Sequence, residues 1–166
     1  MKYTSETPLH LFDPHKEAQH LVSIISSATP LLASLSDADA SKPRTDGHWS
    51  AKEIIGHLID SAGNNLQRVV RLQMQESLIL PGYEQDGWVR VQDYQQRNWS
   101  DLLELWSALN RHLAHAIQYM DRNALARCWQ HDGEEISLAF IIEDYIAHLQ
   151  HHLRQIFPDW MMEEKT

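Results

Sequence analysis

The stretch WSAKEIIGHLIDSAGNNLQRVVRLQ, residues 49–73, contains the best-defined helix start of the chain. Ser50 and Glu53 have the spacing of a capping box, in which each side chain accepts a hydrogen bond from a free backbone amide of the other residue. Trp49, directly before the box, is placed to pack on the first turn as a hydrophobic staple. We therefore predict a helix over 50–76 that buries one apolar stripe.

An earlier segment carries the signals of a first helix. Asp13 is a good N-cap, and Pro14 suits the first helical position. Apolar residues continue at helical spacing as far as Leu35, and Pro30 within them predicts a kink or an early end. The polar stretch 36–48 that follows is rich in helix breakers and is predicted to be a loop.

Two more helices are predicted in the second half of the chain. The third begins near Ser100, or as early as Gln92, and its apolar residues recur at helical spacing. The fourth is capped by Ser137 and stopped by Pro158. The connection between these two helices carries an Asp-Gly pair that predicts a turn or a small hairpin. Four long amphipathic helices and no convincing strand pattern indicate an all-α four-helix bundle, a single domain over 1–166.

Composition excludes several classes of function. The chain has 166 residues, of which 43% are hydrophobic, and its formal net charge is -9. A chain this acidic lacks the positive surface that nucleic acids and anionic membranes attract, so neither is an expected partner. The single Cys128 excludes an internal disulfide. Because no membrane-span-like run and no signal-peptide core are found, we expect a cytoplasmic protein.

The unusual feature of the composition is its eleven histidines. His148 and His152 stand four residues apart on the fourth predicted helix, so their rings share one face. Two imidazoles on one rigid helix can bind a single metal ion, although a solvated patch that includes His151 explains the same spacing.

A third histidine lies on the second predicted helix. His57 heads a polar row with Ser61, Asn64 and Arg68, beside the apolar stripe. Such a row is often the solvent face of a helix. If the second and fourth helices are neighbours, however, the three imidazoles can hold one divalent ion and leave positions for water or substrate. Asp144, one turn before His148, can then orient that ring, or can be a surface acid.

Three segments together resemble the DinB-like (YfiT-like) superfamily. They are the stretch 49–73, the stretch PGYEQDGWVRVQDY (81–94) and the stretch DYIAHLQHHLRQI (144–156). The resemblance implies a four-helix bundle with up-down-down-up connectivity that is usually a homodimer. It also implies one divalent metal ion, usually nickel or zinc, held by the three matching residues His57, His148 and His152.

A site of this kind supports two reactions on a small-molecule substrate. The metal can activate water for hydrolysis, or it can activate a low-molecular-weight thiol for transfer. Both reactions need a group near the metal that handles a proton, and the candidates are Asp60, Ser61, Asn64, Arg68 and Asp144. The alternative is a non-catalytic, stress-associated dimeric bundle whose metal occupancy is its function.

Overall fold

Four long helices and two short ones form the framework of the computed structural model, which describes residues 2–43 and 47–160. In chain order the helices are α1 (Pro14–Ala33), α2 (Asp37–Ala40), α3 (Ala51–Leu72), α4 (Gln85–Gln92), α5 (Trp99–Gln118) and α6 (Leu138–Ile156). Short 3-10 turns lie at Tyr94–Gln96 and Arg122–Ala126. The predicted four-helix bundle is confirmed, with α1, α3, α5 and α6 as its long helices.

The predicted helix starts are found in the structure. The amide of Ser50 donates to Glu53 Oε2 at 2.8 Å, and the amide of Glu53 donates to Ser50 Oγ at 3.3 Å, which completes the capping box. Asp13 and Ser137 are the N-caps of α1 and α6. Pro30 lies inside α1, which ends one turn later. These caps satisfy amides that would otherwise have no partner at the helix ends.

The long helices pack in the ring order α1, α5, α3, α6. Trp99 at the start of α5 donates its indole N–H to the carbonyl of Leu32 at the end of α1, so these two helices are antiparallel. The amide of Trp99 and the ammonium of Lys52 at the start of α3 both contact Asp37. The starts of α3 and α5 therefore lie together, and these helices are parallel. This is the up-down-down-up arrangement.

Two helix boundaries differ from those expected. α3 ends at Leu72, four residues before the predicted end, and the guanidinium of Arg127 satisfies the free carbonyls of Leu72 and Gln73 there, at 3.1 and 2.9 Å. α5 begins at Trp99, close to the expected Ser100. It does not extend back to Gln92, because Asp93 has a φ of 46° and interrupts the helical backbone. The predicted loop at 36–48 also contains the short α2.

The structure also contains a small sheet, which corrects the expectation that the chain has no strands. Its strands are β1 (Lys2–Tyr3), β2 (Ser77–Ile79), β3 (Cys128–His131) and β4 (Glu134–Ser137), in the order β1-β4-β3-β2. Strands of two to four residues are too short to show the alternation by which a strand is recognised.

The Asp-Gly pair between β3 and β4 forms the hairpin that the sequence predicts. Asp132 and Gly133 have φ values of 50° and 78°, as the two central residues of a type I′ turn require. The hairpin places Trp129 of β3 over the bundle, where its ring is buried. Among the described residues, no helix is long and apolar enough to cross a membrane.

Gly56 provides a test of the packing of α3. A Cβ at this position would overlap the ring of Tyr94, so Gly56→Ala should lower the free energy of unfolding by about 1–3 kcal/mol. In the matched control Gly63→Ala the new Cβ meets no atom within 4 Å, and the variant should gain about 0.5–1 kcal/mol from helix propensity. Urea unfolding curves measure both values, and equal effects of the two variants would contradict this account of the packing.

Candidate metal centre

Three histidines from two helices meet inside the bundle. His57 lies in the second turn of α3, while His148 and His152 lie in the second half of α6. The ring centroids are 5.0 Å apart for His57 and His148, 4.7 Å for His57 and His152, and 4.5 Å for His148 and His152. One nitrogen from each ring lies within 4.8 Å of the other two. The structure thus brings together all three of the histidines that the sequence singled out.

Aromatic side chains enclose this histidine cluster. His57 is 1% exposed, and His148 and His152 are half-buried. The ring of Trp49 lies 5.1 Å from that of His57 and 6.3 Å from that of His152, and the ring of Tyr83 lies 6.4 Å from His57. Such a wall limits the access of water and lowers the local dielectric constant.

Burial keeps the three imidazoles uncharged. It lowers the pKa of His57 to about 3, and the neighbouring His152 and His148 add charge repulsion in the same direction. Burial likewise lowers the pKa of His148 to about 4, with repulsion from His152 and His151. The pKa of His152 is lowered by burial as well, although its hydrogen bond to Gln155 opposes the shift. Metal binding needs the neutral imidazole, so the cluster is held in the form that a metal requires.

The spacing of the nitrogens fits a divalent ion. Nε2 of His57 and Nε2 of His148 are 3.1 Å apart. Two nitrogens that each lie about 2.0–2.1 Å from one tetrahedral zinc ion are separated by about 3.3 Å. Within the described ranges, no fourth His, Cys, Asp or Glu joins the group. Three protein ligands with no fourth form an open site, which is typical of catalytic rather than structural centres.

The three histidines differ in the hydrogen bonds that their Nδ1 atoms form. Nδ1 of His152 donates to Oε1 of Gln155 at 3.0 Å, which leaves Nε2 for a metal. Nδ1 of His57 and Nδ1 of His148 are buried and have no hydrogen-bond partner in the part of the chain that the structure describes. Asp144 therefore forms no hydrogen bond to His148 here. Gln155, three residues after His152, was not predicted, although the spacing of i and i+3 on a helix could have identified it.

The other predicted site residues lie on two sides of α3. Asp60 is buried, and its Oδ1 accepts hydrogen bonds from Gln92 at 2.6 Å and from the hydroxyl of Tyr94 at 2.7 Å. Burial raises the pKa of the Asp60 carboxyl, and these two hydrogen bonds oppose the rise. The side chain of Asn64 donates to the carbonyl of Asp60 in its own helix, so its amide is used locally.

The remaining three candidates line a cavity of about 200 Å³ beside His148. Ser61, Arg68 and Asp144 form part of its wall, together with Asn65, which sequence reasoning did not select. Burial raises the pKa of the Asp144 carboxyl, and the positive charge of Arg68 opposes this shift. A larger groove of about 580 Å³ lies on the His152 side and is lined in part by Trp49 and Gln155. The histidine cluster thus borders one cavity through His148 and the other through His152.

The family of the chain follows from comparison with known proteins. The model of the DinB superfamily matches residues 20–156, a range that contains all three histidines. The chain belongs to the DinB superfamily. One relative is the "Putative metal-dependent hydrolase BH0277" of Halalkalibacterium halodurans, 23% identical over 139 residues that cover 83% of this chain and 81% of the relative. Another is the "Putative metal-dependent hydrolase YfiT" of Bacillus subtilis, 23% identical over 124 residues that cover 74% and 70% of the two chains.

A solved structure agrees on the fold of this DinB-superfamily chain. YfiT from Bacillus subtilis, described as having an unusual four-helix bundle topology, aligns with a TM-score of 0.81 at 21% identity. The alignment covers 93% of this chain and 91% of YfiT. The match shows that the two proteins share a fold.

The lowered pKa values predict an acid-sensitive metal-free protein. Below about pH 6.5 the unfolded chain binds protons at His57 and His148 that the folded chain does not bind, so stability falls as pH falls. Between about pH 7.5 and 5.5, protonation of each of these two rings in the unfolded chain should lower the free energy of unfolding by roughly 1 kcal/mol. Urea unfolding in the presence of a chelator measures this loss. It should shrink in the double variant His57→Gln/His148→Gln and persist in His112→Ala, which changes an exposed histidine of α5. An unchanged loss in the double variant would contradict the assignment.

Proposed function

We propose that this DinB-superfamily protein is a metal-dependent enzyme in which His57, His148 and His152 bind one divalent ion. The observation that carries the proposal is the convergence of three uncharged imidazoles, with no fourth described ligand, between two cavities. The relatives named as metal-dependent hydrolases support hydrolysis of a small molecule as the reaction. A divalent ion at this position supplies Lewis acidity toward a substrate or a water molecule.

Residues around the cluster are assigned two further roles, acceptance of a proton and positioning of side chains. Asp144 lines the same cavity as His148, and its exposed carboxylate is the group best placed to accept a proton there. Burial raises the pKa of this carboxyl, which favours its taking up a proton, and the positive charge of Arg68 opposes the rise. Asp60 is already bound by Tyr94 and Gln92, which suits it to fix the position of these side chains rather than to exchange protons.

Transfer of a low-molecular-weight thiol is the second candidate reaction. A transfer needs room for two reactants, and the histidine cluster is flanked by a groove of about 580 Å³ as well as by a cavity of about 200 Å³. A metal that binds a thiol favours its ionised form, which is the nucleophile. The two reactions share one metal site and differ in whether water or a thiol attacks the substrate.

The metal that we propose is nickel or zinc, since imidazole nitrogens suit both ions. A non-catalytic metal-binding bundle associated with stress would need no open ligand position and no adjoining cavity. The presence of both therefore supports an enzyme. The homodimer and the cytoplasmic location stay predictions from the sequence.

Metal content tests the proposed ligands. Protein reconstituted with zinc or nickel should retain about one ion per chain after desalting, as three ligands to one ion require. Each of His57→Ala, His148→Ala and His152→Ala should lose most of that ion. His151→Ala is the matched control, because this exposed neighbour of His152 lies outside the cluster, and it should retain the metal. Elemental analysis measures the content, and full occupancy in all three cluster variants would refute the assignment.

An activity screen distinguishes the two reactions. Metal-reconstituted protein should hydrolyse small ester or amide substrates without a thiol if it is a hydrolase, and should act on electrophiles only with an added thiol if it is a transferase. The three cluster variants serve as negative controls and His151→Ala as the positive control. Metal binding without turnover in either set would favour the non-catalytic bundle.

Gln155 should strengthen metal binding without touching the metal. Its Oε1 accepts the Nδ1 proton of His152, and loss of such a partner typically lowers metal affinity about 10–100-fold. We expect an effect of this size in Gln155→Ala, measured by competition with a chromogenic zinc chelator. Gln150→Ala on the same helix, where the side chain contacts His20, should keep the wild-type affinity. Equal affinities in the two variants would show that the hydrogen bond does not support the ligand.

A further inference from the structure

Arg68 is a buried cation in the cavity next to the histidine cluster. Its residue surface is 8% exposed, and its guanidinium carbon lies 3.7 Å from the ring centre of Trp129. Nη1 donates to Oδ1 of Asn65 at 3.0 Å. Nε is also buried, but it has no hydrogen-bond partner among residues 2–43 and 47–160. Arg68 therefore keeps an N–H group unpaired among the described residues, and its side chain lines the cavity that His148 also lines.

The charge of Arg68 is not paired at close range. Over the described ranges, no carboxylate oxygen lies within 4.0 Å of its guanidinium nitrogens. Asp144 lies on the wall of the same cavity and interacts with Arg68 only beyond that distance. Buried charges are costly unless they are paired and hydrogen-bonded, and the ring of Trp129 compensates only in part. An anion in the cavity would complete the pairing.

We propose that Arg68 binds a carboxylate group of the substrate in the 200 Å³ cavity between His148 and Trp129. This inference rests on the proposed function, since it names the substrate class of the same site. A planar guanidinium matches a planar carboxylate through two parallel hydrogen bonds, and Arg68 uses only Nη1 in a hydrogen bond among the described residues. The substrate is then a small organic acid whose reacting group reaches the histidine cluster.

The charge balance of the cavity selects a carboxylate over a phosphate. Of the described residues that line the cavity, Arg68 is the only Lys or Arg, and Asp144 adds a negative charge to the same wall. One guanidinium neutralises one negative charge, whereas a phosphate monoester carries close to two at neutral pH. Repulsion from Asp144 opposes any anion, and it opposes a dianion about twice as strongly as a monoanion.

The other walls indicate the shape of the acid. Apolar side chains form another part of the cavity wall, namely Ile136, Phe140 and Ile141. The hydroxyl-bearing side chains of Tyr83 and Ser61 also line the cavity. A volume of about 200 Å³ is below the range of about 300–1,000 Å³ that holds drug-sized ligands. The cavity therefore suits a short acid with an apolar body.

Titration of the full-length protein with sodium propionate tests the proposal directly. The arginine Nε–H resonance of Arg68, assigned by its disappearance in Arg68→Lys, should shift and saturate in two-dimensional NMR spectra. Propionamide, the uncharged analogue, should cause no saturable shift. Inorganic phosphate should bind at least tenfold more weakly than propionate. If propionamide binds as well as propionate, or phosphate binds more tightly, the carboxylate assignment is wrong.

Each titration is run on metal-free and on zinc-loaded protein, so that this proposal and the metal proposal fail separately. Binding to Arg68 should persist without zinc. If propionate binds only to zinc-loaded protein, with no shift at Arg68, the metal alone holds the carboxylate and the proposal is overturned. If zinc does not bind but the Arg68 shift is seen, the metal assignment fails and the carboxylate site stands.

Variants provide the second measurement. Arg68→Gln should weaken propionate binding at least tenfold, as detected by chemical shifts elsewhere in the cavity. Arg71→Gln is the matched control, since this exposed arginine lies one turn further along α3 and bonds Gln67. It should leave the affinity unchanged. Unchanged affinity in a folded Arg68→Gln variant would overturn the proposal. If that variant does not fold, the comparison of propionate with propionamide on the wild-type protein decides.

Discussion

The antiparallel contact of α3 with α6 is the constraint on which the candidate site depends. It places the second turn of α3 beside the last turns of α6, so that the buried His57 meets the half-buried His148 and His152. The capping box at Ser50 fixes where α3 begins and therefore which face turns inward. A shift of one residue along α3 would rotate His57 by about 100° and remove it from the cluster.

This contact also explains why the cluster is uncharged. Three imidazoles within 5.0 Å of one another cannot all carry a proton in a buried site, because desolvation and mutual repulsion both oppose the charged form. The same burial that lowers their pKa values keeps one nitrogen of each ring unprotonated, with a lone pair that can bind a metal. The geometry that is unfavourable for protonated histidine is thus favourable for a divalent ion, which uses those lone pairs.

Local signals in the sequence account for the helices and for the placement of each histidine, whereas the three histidines were joined into one site only by the family resemblance, because the contact between α3 and α6 is long-range. His148 and His152 share a helix at a spacing of four, and the cap at Ser50 places His57 in the second turn of α3, so these positions are readable from the chain alone. The small sheet was missed because its strands have two to four residues and pair with distant partners. The stacking of Arg68 on Trp129 joins α3 to β3, 61 residues later, and no local pattern predicts such a contact.

The two faces of α3 show how the bundle accommodates a polar site. Leu58 and Ala62 lie in the apolar core, while the face that carries Ser61, Asn65 and Arg68 is equally buried yet polar. Burying these groups costs stability that apolar side chains would not cost, and several of their hydrogen bonds stay within α3 itself. Among the described residues only His152 has a hydrogen-bond partner on Nδ1, so His57 is oriented by the rings packed around it, those of Trp49, Tyr83, His148 and His152. The geometry of the candidate centre is therefore set mainly by helix packing, so changes in the core between α3 and α6 act on the site as directly as changes in its ligands.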